Sequence, residues 1–544
     1  MERAKKLKPK YTLFTGKQLL WLILPIVIEQ IFSTSLGFID SAMVTRIDKF
    51  GHAGNAVGNV DQINNMIIQL FSAFATGGAI ITSQYLGAKD ELSARSSAKQ
   101  MLVVVTVLSV AIAGLCLALN NPLLKLFFGD VDAEVHQMSR IYFYITAASF
   151  PFIGLFNGCA ALLRAQRKSL FTMVSAGLSC VLNFGANYIF IFILKKGVMG
   201  AALATLICRA IPAAFMFCLL LNNKIPIHIS FKEKFRFNGG MIKHILKIAI
   251  PSGIEGALFQ LGKLLTITCM NTKQYVKPVL DSLGNPVYED GALVTTNIHA
   301  NANTMAMYMN NIGSVVGGGV GTSCITVIGQ AVGTGDLGQT KYYMKKMFLL
   351  SYIVNSICVA VIMASASPLL HLLYEYPDEA FDIALKCLYI ALSMQFITYP
   401  LSFTTPGILK ATSDVKYVMW CAIISMAVMR VGLCFIFTQA VHLGAYGFWI
   451  GMCSDWVMRS VLFLSRLLTG KWKKSSGLFK EPAAEAAGAD GAVVEAVGAE
   501  EEPFAEVAAL NADAADADGS GQTETPDGAN FETDGVGGDA DKTD

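Results

Sequence analysis

Runs of about twenty mostly apolar residues, the length a helix needs to cross a bilayer core, recur along the whole chain. The clearest are Trp21 to Val44, Met101 to Leu119, Phe171 to Leu194, Ala201 to Leu221, Ile248 to Met270, Tyr343 to Met363, Met419 to Phe437 and Leu443 to Leu464. Four further stretches, 53–84, 136–163, 297–332 and 380–409, are as long but more polar. A single soluble core cannot hide this much apolar length. Only 15% of the residues are charged, against roughly 25% in a soluble domain, and mean hydropathy is +0.50. The expectation is an all-α integral membrane protein of about twelve transmembrane helices, because in lipid each helix satisfies its own backbone polar groups.

Lys and Arg orient the spans. The segment Met1 to Lys10 is basic, and the apolar run opening at Trp21 is too long for a signal-peptide core and lacks a small-residue cleavage site, so the first helix is read as retained. With the N-terminus in the cytoplasm, the loops on that side carry Lys89, Arg95 and Lys99; Arg164, Arg167 and Lys168; Lys224, Lys232, Lys234 and Arg236; Lys341, Lys345 and Lys346; and Lys410 and Lys416. The opposite loops carry fewer, among them Arg46, Lys125 and Lys273. This is the positive-inside pattern of a multi-pass cell-membrane protein with both termini cytoplasmic. Beyond Glu481 the chain is rich in Ala, Gly, Asp and Glu, with Lys542 its only basic residue. Having little to bury, it reads as disordered, either solvated with no transport role or regulating through a partner or lipid surface. The twelve cysteines form no C-x-x-C or Cys/His cluster, so they read as small packing residues; no metal, cofactor or nucleic-acid partner is expected.

The chain also repeats itself. Leu24 to Glu29 matches Ile250 to Glu255 at an offset of 226 residues. From Asn55, Asn64 and Gln84 to Asn301, Asn310 and Gln330 the offset is 246, and Arg164 pairs with Lys410 at the same offset. The extra residues fall around Thr272 to Thr296, where Val279 to Asp281 and Val287 to Tyr288 flank the turn Gly284-Asn285-Pro286, an external hairpin or a mobile loop. Two halves of six spans enter from the same side and make a parallel repeat, with the substrate site expected between them near mid-membrane. The boundaries drawn are a basic N-terminus (1–15), an N-lobe (16–222), a cytoplasmic linker (223–245), a C-lobe (246–470) with its insertion (272–296), and an acidic tail (471–544).

Ionisable residues inside spans are costly and need a reason. Glu29 and Asp40 are eleven residues apart in the first span, hence on one face and about 16 Å apart along it. They either face a cavity or, for Asp40, cap the outer helix end. Asn183 and Asn187 are i, i+4 in the fifth span, and Thr205 lies in the sixth. Their oxygens suit a hard monovalent cation, and equally suit interhelical hydrogen bonding. Asp40 corresponds to Thr266 in the repeat, which places cation chemistry in the first half, where Asp40 is the only carboxylate with suitable oxygen partners expected nearby. Glu255, Gln260 and Lys263 of the seventh span, with Asn64 and Asn310, are candidates for a substrate cavity. Arg209 and Arg430 fall near predicted span ends and read as snorkelling; Asp455 and Arg459, i, i+4, read as a mutual pair.

At this point the residues resemble a known family. F-I-D-S-A-M-V around Asp40, S-Q-Y-L-G-A-K-D at Ser83 to Asp90, G-V-M-G-A-A-L-A-T at Gly197 to Thr205, I-P-S-G-I-E-G-A-L-F-Q-L-G-K at Ile250 to Lys263 and I-G-Q-A-V-G-T-G-D at Ile328 to Asp336 are similar, in order and spacing, to bacterial members of the multidrug and toxic compound extrusion (MATE) family. The resemblance covers roughly residues 15 to 470. It implies two six-helix lobes in a V. It also implies export of small, often cationic amphiphilic compounds against Na⁺ or H⁺ entry by a transporter that is not an enzyme and acts as a monomer. It places a cation site at Asp40, Asn183, Asn187 and Thr205. Asn187 stands where the family often has aspartate, which leaves fewer charges to hold Na⁺. The alternative from the same superfamily is a lipid-linked saccharide flippase. A major-facilitator transporter lacks its signature at Gly87 to Arg95, and no catalytic constellation supports an enzyme.

Overall fold

The computed structural model describes residues 12–44, 52–129, 132–230, 237–269, 276–278, 288–289, 292–293, 295–373 and 378–476. Twelve long helical segments follow one another: α1 (Gly16–Val44), α2 (His52–Gly87), α3 (Glu91–Ala118), α4 (Ala133–Ala148 with Phe150–Ala165), α5 (Ser169–Ile193), α6 (Gly197–Leu220), α7 (Gly239–Thr268), α8 (Ile298–Gly333), α9 (Leu337–Leu373), α10 (Glu379–Ala411), α11 (Val415–Ala440) and α12 (Ala445–Thr469). Among the described residues nine are long and apolar enough to span by themselves, and the bent pair of α4 makes a tenth. The other two, α7 and α12, carry Glu255, Gln260 and Lys263, and Asp455, Arg459 and Arg466, which lower their hydropathy. The chain is thus a multi-span membrane protein whose helices form two bundles, α1–α6 and α7–α12.

Local sequence explains the irregularities. Pro151, in the first turn of its segment, removes a donor, and α4 bends there by 45°. Pro25 in α1 and Pro251 in α7 are repeat counterparts inside helices. Wide π turns interrupt α5 at Tyr188–Ile193, α10 at Pro400–Thr404, and α11 at Ser425–Gly432 and Ile436–Ala440; such turns are frequent at functional sites because they re-aim side chains.

Three clusters of buried residues stand out among the described residues. One is internal to the first lobe, around Phe71, Tyr142, Phe143 and Phe150, and one to the second, around Met305, Leu388, Trp449 and Trp456. The third joins the lobes at the N-terminal face: Phe14, Leu22 and Ile26 pack with Val327, Tyr343 and Leu409. Gly77 lies against Ala249 and Gly319 against Val27, so α2 meets α7 and α1 meets α8 wherever a missing side chain lets backbones approach.

Three boundaries move. The C-lobe starts earlier than 246, because α7 begins at Gly239. The start of the linker packs on the first lobe, where Ile227 exchanges two hydrogen bonds with the Gln166 side chain at 3.0 and 3.1 Å. The ordered C-lobe runs past 470: Trp472–Ser476 is a short helix, and Trp472 is buried in the inter-lobe core. The acidic tail itself lies outside the described residues, as do Val279 to Asp281 and the turn at Gly284. The described parts of the insertion pair as antiparallel strands, Val276–Pro278 with Thr295–Asn297 and Tyr288–Glu289 with Ala292–Leu293.

Candidate coupling and substrate sites

Asp40 sits near the end of α1 remote from the N-terminal face, and α5 brings Asn183 and Asn187 beside it, one turn before its backbone widens. Both amides donate to the same carboxylate oxygen, Oδ1, at 2.8 and 2.5 Å. Asn187 is also 3.3 Å from Asn183 Oδ1. All three side chains are buried, and Asn187 Oδ1 has no hydrogen-bond partner among the described residues. Thr205 is buried too, but its hydroxyl donates to its own helix at Ala201 O, 2.9 Å away. It reaches the cluster through Cys208, whose thiol donates to Thr205 O and lies 3.8 Å from Asn183 Nδ2, and its side chain also hydrogen-bonds Tyr142.

A second carboxylate shares the cavity. Asp61 of α2 lines it with Asp40, Asn64 and Arg209, around a volume of about 330 Å³. Asp61 Oδ1 accepts from the Tyr142 hydroxyl at 3.3 Å and from Asn64 Nδ2 at 3.2 Å. The expectation that Asp40 is the only carboxylate of this half with suitable partners nearby is therefore corrected. The signal was present in the sequence, a carboxylate inside a spanning run, and the same cost argument applies to it. Arg209 does not snorkel. It faces this cavity and donates to Ser149 Oγ at 2.8 Å, since two nearby carboxylates are better company for a guanidinium than hydrocarbon.

The candidates for the substrate cavity divide. Glu29 is not in any described cavity: its two oxygens take Arg164 at 2.5 Å and the Thr172 hydroxyl at 2.6 Å. Asn64 belongs to the first-lobe cavity. Glu255, Gln260 and Lys263 do line a space of about 410 Å³ between the lobes, with Gln69 of α2 and Phe403 of α10 on facing walls. Asn310 lines an adjoining space of about 370 Å³ that shares Gln69, Phe259 and Lys263. Glu255 pairs with Lys410 at 2.7 Å, which repeats in the second lobe the Glu29–Arg164 pair of the first.

Arg430 also departs from snorkelling. The π turn of α11 carries it inward, where it is 3% exposed and 3.6 Å from Asp455. Asp455 pairs with Arg459 at 3.1 Å as its spacing predicts, and so holds two arginines. Lys263, Arg430 and Arg459 all surround the Phe259 ring, at 5.0, 5.4 and 5.0 Å from its centroid. No group of His, Cys, Asp and Glu suited to a metal occurs among the described residues.

Two helical bundles, an acid-bearing cavity inside one and a polar cavity between them, define an integral membrane transporter. The MatE family model matches residues 25–189 and 301–436, more than half of the chain, and the chain belongs to that family. A probable multidrug resistance protein NorM of Thermotoga maritima is 23% identical over 86% of this chain and 95% of its own length. An uncharacterized transporter of Bacillus subtilis, YisQ, is 27% identical over 86% and 96%. A multidrug resistance MATE family transporter of the MOP superfamily, solved in an outward-facing conformation, superimposes with a TM-score of 0.73 at 21% identity, over 86% of this chain and 97% of that one. A MATE structure in the straight conformation also gives 0.73 at 21%, over 84% and 97%.

Proposed function

We propose that this protein is a secondary active exporter of small organic molecules, antiported against H⁺ or Na⁺ by alternating access as its two lobes, related by an axis along the membrane normal, rock against each other. Asp40 is the coupling residue, Asn183 and Asn187 hold it, and Asp61 shares its cavity. The observation that carries the reading is the single carboxylate oxygen of Asp40 receiving both amides inside a buried cavity. Burial disfavours a bare carboxylate, and a proton or Na⁺ relieves that cost in different ways. In this arrangement the amide N–H groups, not their oxygens, face Asp40. A hard cation binds through oxygen, and the two N–H groups on Asp40 Oδ1 offer it none there, while a proton requires only the carboxylate; this favours H⁺.

Supporting the orientation, the basic loops cluster on the face where the third core closes the lobes. With that face cytoplasmic, the inter-lobe cavity opens outward. Thr205 serves the site as a packing neighbour, and the protein works as a monomer in the cell membrane. The test imposes a pH gradient and a Na⁺ gradient separately on vesicles. Asp40→Asn should insert and bind substrate yet lose gradient-driven export; full export by the variant under both gradients overturns the assignment.

A further inference from the structure

The two cavities have opposite polarity. Inside the first lobe, Asp40 and Asp61 face Arg209. Between the lobes, the cations are Lys263, Lys410, Arg430 and Arg459, and the carboxylates that meet them are Glu255 and Asp455. Four against two leaves two positive charges unmatched. Lys410 is matched by Glu255, so the excess lies on Lys263 and the two arginines that share Asp455. No carboxylate among the described residues is within ion-pair distance of Lys263.

The arginines also keep donors unused. Arg430 Nε and Arg459 Nη2 are buried with no hydrogen-bond partner, although both residues line the cavity and are 3% and 4% exposed. A buried donor without an acceptor is costly, and a buried excess of one sign more so. Acceptors without a hydrogen-bond partner, Asp455 Oδ2 and Asn310 Oδ1, lie in the same region, so it is the excess of positive charge, above all on Lys263, that calls for an anion from outside. Aromatic rings, Phe259, Phe403, Tyr399 and Trp456, line these spaces together with neutral amides and hydroxyls such as Gln69, Asn310 and Ser402. A volume of about 410 Å³ suits a drug-sized molecule.

We propose that the cavity between the lobes takes an organic anion, a drug-sized amphiphile whose acidic group seats against Lys263, Arg430 and Arg459 and whose apolar body lies along Phe259 and the opposite wall. The inference rests on the export reading and narrows it, because a cationic amphiphile would meet two unmatched positive charges in the cavity. The same chemistry fits a free organic acid or the anionic headgroup of a lipid carrier, and the experiment separates these.

Binding to the purified full-length protein is measured by equilibrium dialysis with carboxyfluorescein, with ethidium and with a short-chain phosphatidylglycerol, so that no gradient or transport step is needed. An anion should bind in preference to ethidium. Lys263→Gln strands no partner and should fold; it should weaken anion binding about ten-fold, Lys263→Arg should restore it, and Lys263→Glu should reverse the preference towards ethidium. Carboxyfluorescein binding that depends on Lys263 assigns a free acid, and phosphatidylglycerol binding that depends on Lys263 without it assigns a lipid headgroup. Ethidium bound as well as either anion, no anion bound, or anion binding indifferent to Lys263→Gln overturns the proposal. Gradient-driven ethidium export alongside those negatives would leave the exporter reading intact, whereas anion binding without any gradient-driven export would sink that reading alone.

Discussion

Gln330 of the second lobe donates to the backbone carbonyl of Ala165 in the first at 2.8 Å, and its repeat counterpart Gln84 donates to Ala411 at 3.0 Å. Ala165 and Ala411 end α4 and α10, where the last carbonyls have no intrahelical partner. Each lobe therefore completes a helix end of the other. Arg167 donates to Gln330 Oε1, through Nε at 2.9 Å, and Gln84 lies 3.3 Å from Ser413 Oγ, the position equivalent to Arg167. A Cβ on Gly87 would collide with the Gln330 carbonyl, and one on Gly333 with that of Gln84. Gly333→Val should wedge this closure open. The measurement is labelling of Ser413→Cys in a cysteine-free protein by a membrane-impermeant thiol reagent: the rate should rise several-fold, and an unchanged rate would show that the lobes do not close here.

Asp61 shares a cavity with Asp40 but accepts from Tyr142 and Asn64 rather than from the α5 amides. Asp61→Asn should therefore reduce gradient-driven export several-fold without abolishing it. The double variant with Asp40→Asn should be no worse than Asp40→Asn alone, because residues of one network are not additive. Initial export rates in vesicles of the three variants decide this. A silent Asp61→Asn would leave the residue a structural acceptor for Tyr142.

Glu29 and Arg164 form a partly buried pair in which Thr172 satisfies the second carboxylate oxygen. Removing one partner of a buried pair costs up to about 3–5 kcal/mol, because the other charge is left uncompensated. Glu29→Gln should lower the melting temperature of the purified protein, and Glu29→Gln with Arg164→Met should recover much of the loss. A double variant as unstable as the single one would show that the pair's charge is not what Glu29 supplies.

Phe14 is 1% exposed although it precedes α1. Its backbone N–H donates to the Tyr343 hydroxyl of the second lobe at 2.8 Å, and the Arg167 guanidinium of the first lobe lies 3.9 Å over its ring. The residue thus ties both lobes at the closed face. Phe14→Ala should destabilise the fold by about 3–5 kcal/mol, as truncation of a buried Phe does. It should also raise thiol labelling of Ser413→Cys, which a purely local packing loss would leave unchanged.

Hydropathy, loop charge and the internal repeat are properties of the chain read in order, and they were enough for the helical spans and the two halves; the family likeness rested on short motifs in their order and spacing. Asn183 and Asn187 were legible as a pair on one face, since i, i+4 spacing puts both amides there whatever surrounds the helix, and the family likeness grouped them with Asp40. Partnership across helices was not. Glu29 and Arg164, and Glu255 and Lys410, were visible as matched pairs of repeat positions, yet nothing in the sequence joined each acid to its base. Asp61 was visible as a carboxylate inside a spanning run, but its claim on the Asp40 cavity depends on how α2 is rotated against α1. Arg430 was misjudged because a π turn changes which way its side chain points. The apolar pattern and the repeat are set by what each residue prefers, lipid or water. The pairing of charges is set by helix rotation and close backbone approach, at Gly77 on Ala249 or Gly333 on Gln84, and only the packed bundle fixes these.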